Sequence, residues 1–255
     1  MKNVLNIYYP TDKSVIDFIK IFDEIYEKKL TNQFNFSRVV ALSDFHRLVT
    51  EMSINKFENI AVISGSLNDP ETRLINYEKI DTLQFNEVSH LFDLDEDWKK
   101  ISISTKTKSK QYKDIENKYD FILCNQVFEH IFSPQSGLKN ISFVAKKNSY
   151  VWISLPTINC IHGDPFFYSA GYHPRFLYRM FREFGFEVIH IGAWGNRKYL
   201  AYAAQGKWAT YEELKRGFRS KMDFAHPYFA LIDGRKNDTS GKFITDTWGL
   251  FKKIE

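Results

Sequence analysis

Two cysteines in 255 residues leave no material for a disulfide framework. Cys124 and Cys160 fall within or just beyond expected sheet strands, without CxxC spacing, which excludes a cysteine zinc cluster and fits a reduced cytoplasmic compartment. No apolar run approaches the roughly 20 residues that cross a bilayer. The opening MKNVLNIYYPTDKSVIDFIK has neither an apolar h-region nor a small-residue cleavage site, so export and membrane insertion are not expected. Charge of neither sign dominates: 35 Lys and Arg against 31 Asp and Glu give +4, and the basic residues are scattered, so nucleic acid is not an expected partner. Internal repeats and HExxH spacing are also absent.

What is present is ordinary globular material, 44% hydrophobic and 26% charged, in a chain long enough to bury a sizeable core. Residues 1–55 carry apolar positions at helical spacing, Val15, Phe18, Ile19, Phe22, Ile25 and Tyr26, then Phe45, Leu48, Val49 and Met52. They read as a helical cap on a sheet. Residues 58–195 alternate short apolar runs with helical patterns, which predicts a mostly parallel sheet with right-handed crossovers. Residues 196–243 form an aromatic and basic insertion, and residues 244–254, with TDTWGLFKKI, read as a closing strand. All of this is expected to form a single domain over 1–255.

The stretch from Lys118 to Gly195 is the most informative. KYDFILCNQVFEHI runs through a buried strand and breaks into Asn125 and Gln126, with Glu129 and His130 just beyond. Ser133 then reads as a helix N-cap with Pro134 at the first helical position. The strand YVWISLP stops at Pro156, and Thr157, Asn159, His162, Asp164 and His173 populate a loop longer than the about 2–6 residues usual for such a connection. Ligands of open α/β sheets bind beyond the carboxyl ends of strands, where these polar groups gather.

YDFILCNQVFEHI, its trailing helix, the strand ending in proline and REFGFEVIHIGAWG together resemble the second half of class I S-adenosylmethionine-dependent methyltransferases. The resemblance covers about residues 58–195 and the closing strand. It implies an α/β Rossmann-like fold with helices on both faces of a mostly parallel seven-stranded sheet, whose last strands form a reversed hairpin. It also implies S-adenosylmethionine as cofactor. The His-rich loop looks most like methyltransferases among glycan-modifying proteins, which implies O-methylation of a sugar hydroxyl in a glycan or glycoconjugate, with a glycosyltransferase of the same pathway as a partner.

Carried over position by position, the first-strand turn is Ser64, Gly65 and Ser66, where AVISGSLNDPETRLI has a single glycine in place of a glycine-rich turn. Asp69 and Glu71 follow, either facing a ligand or serving as helix N-terminal charges. The ribose-binding carboxylate after KIDTLQFNEV would be Glu87, or its role falls to Asn86. Asp93 of FDLDEDW would meet the adenine, and Asn125 and Gln126 would flank the cofactor.

Methyl transfer asks an enzyme chiefly to align the acceptor and, for a hydroxyl, to remove a proton. His162, His130 and His173 are candidate bases, imidazole having an unperturbed pKa of about 6.5, and Asp164 could orient one of them or help hold a divalent ion. His173 before Pro174 also reads as a helix N-cap, and His130 as a local hydrogen-bonding residue. A divalent metal is the less favoured alternative. Phe166, Phe167, Tyr168 and Tyr172 read as lid or core, and Arg175, Arg179 and Arg182 as a solvated helix face. Two other readings stay open: a small-molecule methyltransferase, and a methyltransferase-like scaffold that has lost the cofactor.

Overall fold

The apolar runs FENIAVI and YDFILCN are too short for helices of a core this size and become its central strands. The structure, a computed structural model, describes residues 5–10, 12–26, 34–54, 56–104, 108–195, 199–200 and 244–254. Most of the expected 196–243 insertion lies outside them. In chain order the elements are α1 (Asp12–Tyr26), α2 (Phe36–Glu51), β1 (Lys56–Ile63), β2 (Asn76–Leu83), α3 (Trp98–Ser102), α4 (Ser109–Lys113), β3 (Tyr119–Asn125), α5 (Pro134–Val144), β4 (Ala145–Pro156), α6 (Pro174–Glu183), β5 (Phe186–Trp194) and β6 (Asp246–Lys253).

The sheet order is β2-β1-β3-β4-β6-β5. β2, β1, β3 and β4 pair in parallel, while β6 runs antiparallel to both β4 and β5. The reversed final hairpin is therefore present, with TDTWGLFKKI as its last strand. Six strands stand where seven were expected, among the described residues. Beyond β2 the polar side chains bind their own backbone: Asn86 accepts the amides of Val88 and Ser89, and Asp93 that of Asp95. Such local bonds compete with a strand ladder, and β2 remains the mostly exposed edge.

Strand alternation sends Phe121 and Leu123 to one face and Ile122 and Cys124 to the other. On the first face α1 and α2 bury Phe18, Phe22, Val39, Leu42 and Phe45 against Trp152, Trp194 and Trp248. On the second, Trp98, Tyr112, Leu138, Ile141, Leu177 and Phe181 cover Val151, Ile153 and Phe251. The caps follow the sequence: Ser133 accepts the Ser136 amide ahead of Pro134, and His173 Nδ1 accepts the Arg175 amide ahead of Pro174.

One buried carboxylate ties α2 to the reversed hairpin. Asp44 Oδ2 accepts from His190 Nε2 at 2.6 Å and from Trp248 Nε1 at 2.7 Å, and Oδ1 accepts from Arg47 Nε and Nη2 at 3.0 and 2.8 Å. Truncating it leaves a buried indole N–H, the His190 ring and the Arg47 Nε and Nη2 groups without their acceptor, with Arg47 Nη1 still held by Glu51. We therefore expect Asp44→Ala to lower unfolding free energy by about 3–5 kcal/mol. Truncating the exposed Glu51, which bonds Arg47, should cost less than about 1 kcal/mol. Urea denaturation of both variants checks the contrast.

Candidate active site

Parallel pairing brings the carboxyl ends of β1, β2 and β3 to one edge. Ile63 is in register with Leu83 on one side and with Cys124 on the other. Strand order reverses between β1 and β3, since the chain leaves β1 for β2 on one side and returns to β3 on the other. Such a switch point opens a crevice. A cavity of about 370 Å³ occupies it, lined by Ser64, Gln84, Phe85, Asp93, Leu94, Asp95, Gln126, Val127, His130, Ile131, Gly163, Phe166 and Tyr168.

The two strands bounding the switch point end in backbone kinks. Ser64 has φ 50° and Gln126 φ 54°, a left-handed conformation that side chains other than glycine enter at a cost. Their amides donate to Leu83 O and Ser154 O, keeping each kink fastened to the neighbouring strand. Gly65 follows, and a Cβ there would lie 2.6 Å from Val62 Cγ1 and 2.7 Å from Asp69 Oδ2. Its small size thus serves the packing of the turn on its own chain. Asp69 accepts the Ser66 amide at 3.3 Å, and the fully buried Glu71 accepts from Arg38 Nη2 at 2.8 Å. These two acids staple the turn to α2.

Beyond β3 a 3₁₀ turn, Phe128–His130, carries the Glu-His pair. Glu129 is fully buried, its carboxyl pushed up to about 7 chiefly by that burial, with Asp246 adding to the rise. Neither of its oxygens has a hydrogen-bond partner among the described residues. His130 Nδ1 lies 2.6 Å from the Phe166 carbonyl oxygen, so Nδ1 donates there and Nε2 takes no part in that bond. Nε2 is 4.0 Å from Glu129 Oε1. The His162 ring stands edge-on to His130 with centroids 4.8 Å apart, and its Nδ1 is 2.8 Å from Cys160 O.

The long loop after β4 is fastened to this turn. Tyr168 and Ser169 amides donate to Glu129 O, Tyr172 Oη donates to Phe128 O, and the Phe166 ring meets Phe85 edge-on at 5.6 Å. Phe166 and Tyr168 line the cavity, while Tyr172 packs into the core beside Phe176.

Of the residues singled out in the sequence, Ser64, Asp93, Gln126 and His130 meet at the cavity. Asn125 lies just behind, accepting from Ser154 Oγ at 2.8 Å. His162 reaches the site through its contact with His130. Gly65 and Ser66 belong to the turn but not to the lining. Glu87 sits exposed on the turn that Asn86 caps, and Asp164 is exposed on the loop. At the end of β2 the lining residue is Gln84. A search for a carboxylate passes over it, although its place directly after the last buried residue, Leu83, marks it. Asp95 was also missed; its carboxylate accepts the amides of Phe132 and Ser133, bridging the cavity wall to α5.

A family model described as a methyltransferase domain matches residues 47–191. The chain belongs to the class I S-adenosylmethionine-dependent methyltransferases. Among solved structures it is similar to a SAM-dependent methyltransferase from Archaeoglobus fulgidus, at 16% identity over 93% of this chain and 100% of that one, TM-score 0.44. It is also similar to Haemonchus contortus phosphoethanolamine N-methyltransferase 2 in complex with S-adenosyl-L-methionine, at 13% identity over 96% of this chain and 58% of that one, TM-score 0.44. A third is the 1,6-didemethyltoxoflavin-N1-methyltransferase of Burkholderia thailandensis, at 7% identity over 95% and 87%, TM-score 0.41. No curated protein matches. Among the described residues no helix of this methyltransferase is long and apolar enough to cross a membrane.

The methyltransferase carries a further buried acid at the same edge of the sheet. Asp246 opens β6 opposite Pro156 and Trp194. Burial pushes its carboxyl up to about 6, against the lowering influence of hydrogen bonds from Ser37 and Thr245 and the charge of Arg38. A carboxyl whose pKa rises on folding holds its proton more tightly in the folded state. Its contribution to stability is whole below the ordinary value of 3.8 and is lost as pH rises through about 6. Asp246→Asn stays neutral throughout, so its stability relative to wild type should improve between pH 4 and pH 7 by on the order of 2 kcal/mol. Urea midpoints measured across that range check it; a constant difference would remove Asp246 as the titrating group.

Proposed function

We propose that this methyltransferase transfers the methyl group of S-adenosylmethionine to a hydroxyl of a saccharide in a glycan or glycoconjugate. The observation that carries the reading is His130 on the wall of the strand-end cavity, with Nδ1 committed to a carbonyl and Nε2 outside that bond.

The cavity suits the cofactor. Its volume lies within the roughly 300–1,000 Å³ of small-molecule sites, and the buried Asn125 Nδ2 beside it has no hydrogen-bond partner among the described residues. Gln84 would hold the ribose hydroxyls, Asp93 and Leu94 the adenine, and the Ser64 and Gln126 kinks the amino-acid end. Once bound, the cofactor supplies a methyl group already activated on a sulfonium. The chain itself must exclude water, hold the acceptor and take a proton.

A sugar hydroxyl is a poor nucleophile and benefits from a base. A neutral imidazole at His130 Nε2 can accept the proton that the hydroxyl loses, with Phe166 O holding the ring in the correct tautomer and supporting the imidazolium that results. Phe85, Phe166 and Tyr168 offer flat apolar surfaces on which a pyranose ring can stack. A saccharide acceptor would set the protein beside a glycosyltransferase of the same pathway.

Two measurements test the reading. Calorimetry with S-adenosylhomocysteine should give micromolar-range binding that Gln84→Ala weakens about two- to tenfold, one hydrogen bond being worth about 0.5–1.5 kcal/mol. Incubation with methyl-labelled cofactor and a panel of sugar nucleotides and oligosaccharides should label a saccharide, with His130→Ala about 10²–10⁴-fold slower in kcat. Label appearing on amines or small non-sugar acceptors instead would overturn the acceptor class.

A further inference from the structure

We propose that Glu129, His130 and His162 form a binding site for one divalent transition-metal ion on the wall of the strand-end cavity. Each of the three offers one donor atom, and these atoms lie within 4.8 Å of one another. A shared ion at about 2.0–2.2 Å from each ligand brings donor pairs to at most about 4.3 Å, so small side-chain rotations close the set.

The hydrogen bonds around the cluster prepare it as a metal site would be prepared. Both imidazoles spend Nδ1 on a backbone carbonyl, His130 on Phe166 O at 2.6 Å and His162 on Cys160 O at 2.8 Å. That fixes one tautomer on each ring and leaves both Nε2 lone pairs available, the arrangement by which outer hydrogen bonds orient metal-ligating histidines. The third donor is a carboxylate buried to 0% exposure with neither oxygen hydrogen-bonded among the described residues. Burying a carboxylate without compensation is costly, and a cation between it and two imidazoles supplies the compensation. The loop that brings His162 is itself pinned on the Glu129 carbonyl through the Tyr168 and Ser169 amides.

The donor set selects the ion. Two imidazoles and one carboxylate suit zinc, cobalt, manganese, iron or nickel, whereas magnesium and calcium favour oxygen ligands. Three protein ligands leave coordination positions open, and His130, the one ligand of the three that lines the cavity, would place the ion beside it, within reach of an acceptor hydroxyl. This role rests on the proposed O-methyl transfer and replaces His130 as the base: with Nε2 spent as a ligand, the ion would hold and acidify the acceptor hydroxyl, whose proton would leave to water, whereas in the metal-free protein Nε2 takes it. The ion site itself rests on the three side chains alone.

The test is a cobalt(II) titration of the untagged, chelator-treated full chain. We expect visible ligand-field absorption saturating at one equivalent, displaced by zinc and not by millimolar magnesium. Glu129→Gln and His162→Ala should each weaken binding about 10–100-fold. His162 is exposed, so its variant should retain wild-type circular dichroism and S-adenosylhomocysteine affinity. Absence of the absorption in wild type, or affinity unchanged in the folded His162→Ala protein, would overturn the site. Stoichiometric binding lost in the variants, combined with no labelled saccharide, would leave the ion standing and overturn the acceptor alone.

Discussion

Everything at the site depends on β1 pairing in parallel with a different strand on each side. A parallel pair needs a crossover that returns the chain to the same end of the sheet, so β1, β2 and β3 all deliver their next residues to one edge. Because β1 is followed by β2 on one side and β3 lies on the other, the two outgoing chains diverge there. The crevice is a consequence of connectivity before any side chain is considered. Ser64 and Gln126, the residues that must turn out of β1 and β3, are the ones held at positive φ.

The second constraint is the way a long loop is anchored to a short turn. The backbone of Glu129 receives two loop amides and the side chain of His130 binds a loop carbonyl. The Glu-His turn thus anchors the loop as well as presenting His130 to the cavity. Substitutions in it will move the loop as well as the functional groups, whereas His162, carried at the periphery, separates the two effects.

Much of this was legible in the sequence because it depends on local pattern. Apolar runs ending in polar residues located β1, β3 and β4, and the Ser133-Pro134 and His173-Pro174 pairs gave their helix starts. The fold and the strand-end position of the site followed. What was not legible depends on geometry between segments. Glu87 and Gln84 are both polar and close to the end of β2, and only the register Ile63 to Leu83 decides which one meets the crevice. The single glycine of the first turn, Gly65, was visible, but not that Val62 and Asp69 crowd the place of its missing side chain. An expected seventh strand gave way to Asx-type turns, in which Asn86 and Asp93 satisfy nearby amides before a ladder can.

The buried carboxylates show what kind of partner each position was built for. Asp44 receives an indole, an imidazole and a guanidinium, all donors from the protein, and its function is to hold α2 to the hairpin. Glu71 faces Arg38, and Asp246 has Ser37 and Thr245. Glu129 is as buried as any of them, but its polar neighbours are the His130 and His162 imidazoles, with His130 Nε2 4.0 Å from Oε1. A buried carboxylate without a hydrogen-bond partner is costly unless a proton or a cation compensates it. Among the described residues the first three acids each have a counter-group within the fold on at least one oxygen, Glu71 Oε1 and Asp246 Oδ2 being left over, whereas neither oxygen of Glu129 is hydrogen-bonded.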